Sequence, residues 1–189
     1  ILVEKIFSMD AAWAFTVAAL LWVYLGIQKG QVTQDGLTGL NNRRRLDQYM
    51  WELDERSGER ETCCYLLMDV NKFKKVNDTY GHVTGDEVLR LVAEQLKRTF
   101  GNMQAFLARY GGDEFVVIVK GKTQDEMDVI IHQTQENVNG IAWGADTPWR
   151  LSISIGCAMR GEQGKQKSHE LLALADERMY RQKKGIQDR

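Results

Sequence analysis

AFLARYGGDEFVVIV, residues 105–119, reads as two β-strands folded back on one another. Ala105 to Tyr110 and Glu114 to Val119 are rich in β-branched and aromatic residues, which suit a pleated, half-buried surface. Gly111-Gly112 between them is expected to supply the positive φ angles of a tight two-residue turn. A hairpin is antiparallel, so this stretch excludes a purely parallel sheet and asks which strands and helices surround it.

Upstream, Thr62-Cys-Cys-Tyr-Leu-Leu-Met-Asp69 is a continuous apolar run ending in a carboxylate, the pattern of a strand buried on both faces. Between that run and the hairpin, Lys72 to Tyr80 reads as a short helix closed by Gly81. Gly85 to Phe100 reads as a longer one, with Val88, Leu89, Leu91, Val92 and Leu96 apolar. Earlier still, Asn41 to Arg56 places Leu46, Tyr49, Met50 and Leu53 on one helical face. Downstream, Thr123 to Val138 opens with Thr-Gln-Asp-Glu, a capping-box pattern. Trp149 to Met159 alternates as a strand, and Ser168 to Lys184 is the last helix. The order β-α-α-β-β-α-β-α indicates an α+β, ferredoxin-like sandwich with a central, mainly antiparallel sheet.

Composition agrees. The chain has 189 residues, 43% hydrophobic and 27% charged, the profile of a folded domain rather than a disordered one. Lys+Arg number 25 against 26 Asp+Glu, a net charge of -1 that argues against a nucleic-acid partner. Three Cys, two of them adjacent (Cys63, Cys64) and one distant (Cys157), make neither a disulfide framework nor a zinc spacing. A reducing, cytoplasmic compartment fits them best. The first residue is Ile, so the sequence is expected to be a piece of a longer chain.

Residues 1–34 differ in character from 35–189, which form a single domain. From Ala11 to Ile27 no residue is charged. That run falls slightly short of the ~20 residues that span a bilayer. Trp13, Trp22 and Tyr24 resemble interfacial anchors, with Lys29 and Arg43-Arg44-Arg45 on the side expected to be cytoplasmic. The rival reading is a dimerising helix, because Leu2, Ile6, Met9, Trp13, Thr16, Leu20, Val23 and Ile27 step by fours and threes. Both stay open. Gly30 to Gln34 is a short joint.

Three carboxylates stand where strands turn: Asp69 at the end of the buried run, and Asp113 and Glu114 at the hairpin. In a ferredoxin-like sheet those strands are neighbours, so the acids are expected to converge at one edge. Oxygen ligands of this kind suit Mg²⁺. A pair of such ions serves in-line phosphoryl displacement, activating one oxygen and stabilising another. The competing reading is that acids are simply common at turns. Lys74 lies about one helical turn past Asp69, able to reach a phosphate as a point charge. Asn77 and Asp86 bracket a Gly81-His82 bend and offer hydrogen-bonding groups to a base. A carboxylate there accepts from both N1-H and N2-H₂ of guanine and disfavours adenine. Against this, Asp86 could cap a helix and His82 could be a turn residue. His132 and His169 read as surface residues.

Arg109-Tyr-Gly-Gly-Asp-Glu-Phe115 resembles the signature of GGDEF domains, the diguanylate cyclases. Asp35-Gly-Leu-Thr-Gly-Leu-Asn-Asn-Arg-Arg44 resembles the family's entry motif, and Asp69 to Asp86 its metal and guanine segment. Ser152-Ile-Ser-Ile-Gly156 and Ala175-Asp-Glu-Arg-Met-Tyr180 resemble its C-terminal blocks. The resemblance runs from residue 35 to about 184 and implies a palm-type nucleotide-cyclase sandwich preceded here by an N-terminal helix. It implies condensation of two GTP into cyclic di-GMP with release of two pyrophosphates, across a homodimer in which each subunit holds one GTP. Asp69, the Val70 carbonyl, Asp113 and Glu114 would hold two Mg²⁺, with Mn²⁺ as a substitute. Asp113 is the implied proton acceptor. Lys74 and Lys183 would bind phosphates, and Asn77, His82 and Asp86 would form the guanine pocket. Gly111 and Gly112 would keep side chains off the nucleotide. The implied setting is the bacterial cytoplasm, with the full-length protein either free or held at the inner membrane.

Departures matter too. Asn102-Met-Gln-Ala105 stands where members with product feedback carry Arg-x-x-Asp, so no binding of product at that primary site is expected. Asn71 replaces a frequent second acid. Lys184-Gly-Ile-Gln-Asp-Arg189 replaces the family's Gly-Arg-Asn continuation, which leaves a second phosphate-binding arginine open.

Overall fold

The computed structural model describes residues 13–23, 33–56, 62–142, 150–160 and 166–187. The chain divides into two units, Ile1–Thr33 and Gln34–Arg189. In the first, residues 13–23 form helix α1 with exposed side chains. Among the described residues no helix is long and apolar enough to cross a membrane. The ends of the 11–27 run, the heptad positions Leu2, Ile6 and Met9, and most of the joint lie outside the described residues, so neither reading of that run is tested.

Among the described residues the second unit is built on a four-stranded sheet of order β2-β3-β1-β4. The strands are β1 (Cys63–Val70), β2 (Ala105–Gly111), β3 (Glu114–Lys120) and β4 (Ile153–Met159), and every pairing between them is antiparallel. The helices are α2 (Arg43–Glu55), α3 (Phe73–Tyr80), α4 (His82–Phe100), α5 (Gln124–Asn139) and α6 (Ser168–Gln187). This is the α+β sandwich expected.

β1 explains why its sequence is apolar without a break. Cys64, Leu66, Met68 and Val70 pack into one core with residues of α4 and α5, including Val88, Leu89, Leu96, Met127 and Val138. Cys63, Tyr65 and Leu67 face the opposite core, formed with Leu46 and Leu53 of α2 and Leu171 and Ala175 of α6. A central strand covered on both faces has no solvent side to make polar.

Three features fix α6, which matters for the site. At its start, Ser168 N–H and Oγ–H donate to Asp54 Oδ1 at 3.0 and 2.7 Å, and Ser168 Oγ lies 2.8 Å from the Tyr65 hydroxyl. Further along, Gly156 of β4 allows direct backbone contact. A Cβ there would lie 1.8 Å from Ala175 O and 2.4 Å from Met179 N. Gln182 Oε1 then accepts from Ile155 N–H at 2.6 Å, satisfying a donor on the edge strand.

Two expectations need correction. α4 begins at His82 rather than Gly85, directly after Gly81 (φ 82°), which separates it from α3. Asp86 therefore lies one turn inside the helix and does not cap it. At the hairpin, Gly111 ends β2 and pairs with Glu114, and only Gly112 takes a positive φ, at 53°. The two-residue turn is Gly112-Asp113, because the register slips between Arg109 and Gly111 and shifts the turn by one residue.

Candidate active site

The sheet register assembles the acids. Asp69 on β1 pairs across the ladder with Glu114 on β3, and Val70 N–H donates to Asp113 O at 3.2 Å. The hairpin tip is thus stitched to the end of β1. Asp69 is 7% exposed, and its partner comes from α6: Lys183 Nζ donates to Asp69 Oδ1 at 2.6 Å.

Charge in this corner is out of balance. Burial and the nearby Asp69 carboxylate push the Asp113 carboxyl above its ordinary value, with Lys183 and Arg109 only partly opposing them. Glu114 moves up for the same first cause, burial, and then through repulsion from Asp69, Asp113 and Asp176. Negative charge gathered against one lysine is what a divalent cation would relieve, and the donors are hard carboxylate oxygens that match Mg²⁺ or Mn²⁺. Among the described residues no three His, Cys, Asp or Glu side chains already stand at metal-holding separation. Lys183 holds Asp69 instead. The donor chemistry fits a hard divalent ion, and a Mg²⁺ site usually draws part of its shell from water and substrate phosphate.

The hairpin leaves space for such a substrate. A Cβ at Gly111 or Gly112 would meet nothing within 4 Å, and both residues are exposed. Their backbone faces open solvent. The turn is braced from behind by Arg109, whose Nε and Nη2 donate to Gly112 O at 3.0 and 2.8 Å. Its Nη1 donates to both Asp35 oxygens at 3.2 Å. Asp35 also accepts from Thr38 N–H and Oγ–H at 2.9 and 2.7 Å. Burial works against the Asp35 charge, yet the Thr38 bonds and the Arg109 guanidinium hold its carboxyl below the usual value. The sequence reading assigned no role to this brace, although Asp35 and Arg109 both lay in quoted motifs. Nor did it assign one to Asp176 of α6, whose charge repels Glu114.

The residues expected to read a base lie at the α3–α4 corner. A left-handed residue, Lys72 (φ 58°), turns the chain from β1 into α3. A non-glycine residue in that region is uncommon and carries strain. Lys74 then sits exposed in the first turn of α3. Asn77 lies against Gly85 of α4, where a Cβ would come within 1.9 Å of Asn77 Oδ1. Among the described residues, that buried oxygen has no hydrogen-bond partner. His82 and Asp86, four apart on α4, share one exposed face. Asn71, in place of the second acid, is absorbed by β4's entry: Ser154 Oγ–H donates to its Oδ1 at 2.7 Å, and its Nδ2–H donates to Ser152 Oγ at 3.1 Å.

The family model described as "Diguanylate cyclase, GGDEF domain" matches residues 32–189. The chain belongs to the GGDEF family of diguanylate cyclases. Among curated relatives, the probable diguanylate cyclase DgcI of Escherichia coli K12 is 38% identical over 156 residues, covering 80% of this chain and 31% of that protein. Diguanylate cyclase DosC of the same strain is 34% identical over 161 residues, covering 82% of this chain and 34% of its own. The chain therefore spans about a third of the length of these relatives. Among solved structures, the GGDEF domain of DgcB from Caulobacter crescentus, in complex with c-di-GMP, is 30% identical with a TM-score of 0.72, covering 82% of this chain and 92% of that one. The coiled coil and GGDEF domain of the same protein gives a TM-score of 0.73 at 28% identity, covering 94% and 95%.

Proposed function

We propose that this chain is an active diguanylate cyclase that condenses two GTP into cyclic di-GMP with release of two pyrophosphates. Each subunit of a homodimer binds one GTP. Asn77, His82 and Asp86 hold the guanine, and Lys74 and Lys183 take the phosphates. The side-chain-free backbone at Gly111-Gly112 lets the nucleotide lie close. Asp69, the Val70 carbonyl, Asp113 and Glu114 would hold two Mg²⁺, or Mn²⁺. When bound, the ions supply charge neutralisation at the transferring phosphoryl group.

Asp113 accepts the proton of a ribose 3′-hydroxyl. That oxygen forms a bond to the α-phosphorus of the GTP in the facing subunit, while the α–β phosphoanhydride bond breaks and pyrophosphate leaves with the electron pair. The reciprocal step closes the ring. Little covalent chemistry falls to the protein, so positioning and charge carry the rate. The catalytic domain works in the bacterial cytoplasm, where GTP is available. Residues 11–27 then serve as a membrane anchor or a dimerising helix.

The reading rests above all on Asp69, Asp113 and Glu114 at one corner, with two of their carboxyls held above ordinary values and a lysine standing in as counter-ion. Incubation with Mg²⁺ and GTP, ATP or both, followed by chromatography, tests it. GTP alone should give cyclic di-GMP, and Asp113→Ala should abolish the product while leaving the fold intact. Binding of GTP without turnover would favour a degenerate regulatory module instead, and a mixed product would overturn the guanine assignment of Asp86.

A further inference from the structure

Nothing in the condensation uses the thiols, yet two of them meet. Cys64 and Cys157 lie on neighbouring antiparallel strands, with Cys64 paired to Met159 and Leu66 paired to Cys157. They are thus diagonal neighbours on one face of the sheet. Their sulfurs are 3.0 Å apart. Bond formation would bring the sulfurs about 1 Å nearer and draw the two strands together locally, because diagonal neighbours start at the long end of the separations a disulfide spans. Cys64 is buried, whereas Cys157 is half-exposed. Cys63 points to the opposite core by strand alternation and cannot join them.

We propose that Cys64 and Cys157 form a reversible, oxidant-reactive dithiol site, in which Cys157 reacts first with a hydroperoxide and Cys64 resolves it into an intrachain disulfide. Exposure assigns the order, because the half-exposed Cys157 is the sulfur an oxidant reaches first and Cys64 lies buried behind it. The bond with Cys64, together with the Arg178 guanidinium, lowers the Cys157 thiol, although burial and Asp128 oppose it. Cys64 is pushed the other way, by the bond to Cys157 and by burial. Arg178 is held there through its bond to the Cys157 carbonyl.

The chemistry closes. The Cys157 thiolate attacks one oxygen of hydrogen peroxide, the O–O bond breaks, and hydroxide leaves, giving a sulfenic acid. The Cys64 sulfur then attacks the Cys157 sulfur, the S–O bond breaks, the S–S bond forms, and water leaves carrying the Cys64 proton. Two thiols lose two electrons and two protons, and the peroxide becomes two waters. A reducing dithiol reverses the bond by exchange.

The test uses the full chain, reduced and then treated with hydrogen peroxide, unfolded, alkylated with iodoacetamide and mapped by mass spectrometry. The expected result is a cross-link between the Cys64 and Cys157 peptides, alkylation confined to Cys63, and full alkylation of all three after dithiothreitol. In Cys63→Ser the oxidised chain should take up no label. In Cys64→Ser, Cys157 should stop at the sulfenic acid and be captured by dimedone. Full alkylation after peroxide, a bond through Cys63 or between chains, or Cys157 oxidised to sulfinic acid beside an alkylatable Cys64 would overturn the proposal. The wild-type and Cys63→Ser maps decide the matter even if Cys64→Ser fails to fold.

Discussion

Asp113 occupies a costly position for a carboxylate, and its stability signature follows from that. Its folded-state value is raised above 3.8 by burial and by Asp69. A raised carboxyl binds its proton more readily in the folded chain than in the unfolded one. The folded state is therefore favoured below the ordinary value and gives up that advantage as pH climbs through the raised value. Glu114 acts in the same direction from 4.5. In metal-free buffer, Asp113→Asn should remove its share of this loss and be as stable as the parent at neutral pH, or more so, while lacking catalytic activity. Urea midpoints across a pH series check it. Parallel curves for the two proteins would contradict the charge assignment. The meeting of the acids at one edge was legible in the sequence, because an apolar run ending in Asp69 and a hairpin carrying Asp113 and Glu114 mark neighbouring strand ends. The Lys183 contact and the Arg109–Asp35 brace were not, since each joins residues far apart in the chain and only the folded register sets their distance.

At the level of elements, the site depends on how closely α6 lies against β4. Gly156 permits that approach, and its Cβ replacement would collide with backbone atoms of Ala175 and Met179, which cannot move as a flexible side chain can. Gly156→Ala should destabilise the domain by roughly 1–3 kcal/mol, the usual range for overpacking. It should also cut activity beyond what partial unfolding explains, because α6 would carry Lys183 away from Asp69. Equilibrium unfolding beside specific activity, measured well below the transition, separates the two effects. α5 offers a contrast. Its start was readable from Thr123-Gln-Asp-Glu126, and both halves of the capping box form: Glu126 N–H donates to Thr123 Oγ1 at 3.3 Å, and Thr123 N–H donates to Glu126 Oε2 at 2.8 Å. Thr123→Ala should cost about 1 kcal/mol in urea unfolding and leave catalysis unchanged. A cap is a local device, so sequence spacing alone reveals it. The start of α4 was misread because Gly81 ends one helix and begins the next with no side-chain cap to mark it.

For the whole molecule, the consequential quantity is the concentration at which two chains meet. One subunit presents one set of acids and one α3–α4 corner, so under the proposed reaction a lone copy would hold half the reactants. Specific activity should rise in proportion to protein concentration well below the dimer dissociation constant and level off above it. With a net charge of -1, long-range repulsion between copies is weak, and the association should depend little on salt. Under that reaction the negative charge of two facing GTP molecules would be a local problem, for Lys74, Lys183 and the divalent ions to meet. If residues 1–34 supply the dimer contact, deleting them should move the midpoint to higher concentration without changing the plateau. Fusing a dimerising coiled coil to residues 35–189 should restore it. An unchanged midpoint would remove the N-terminal segment from the association. A flat specific activity over the whole dilution series, from chains shown by sedimentation to be monomers, would exclude a reaction shared between subunits.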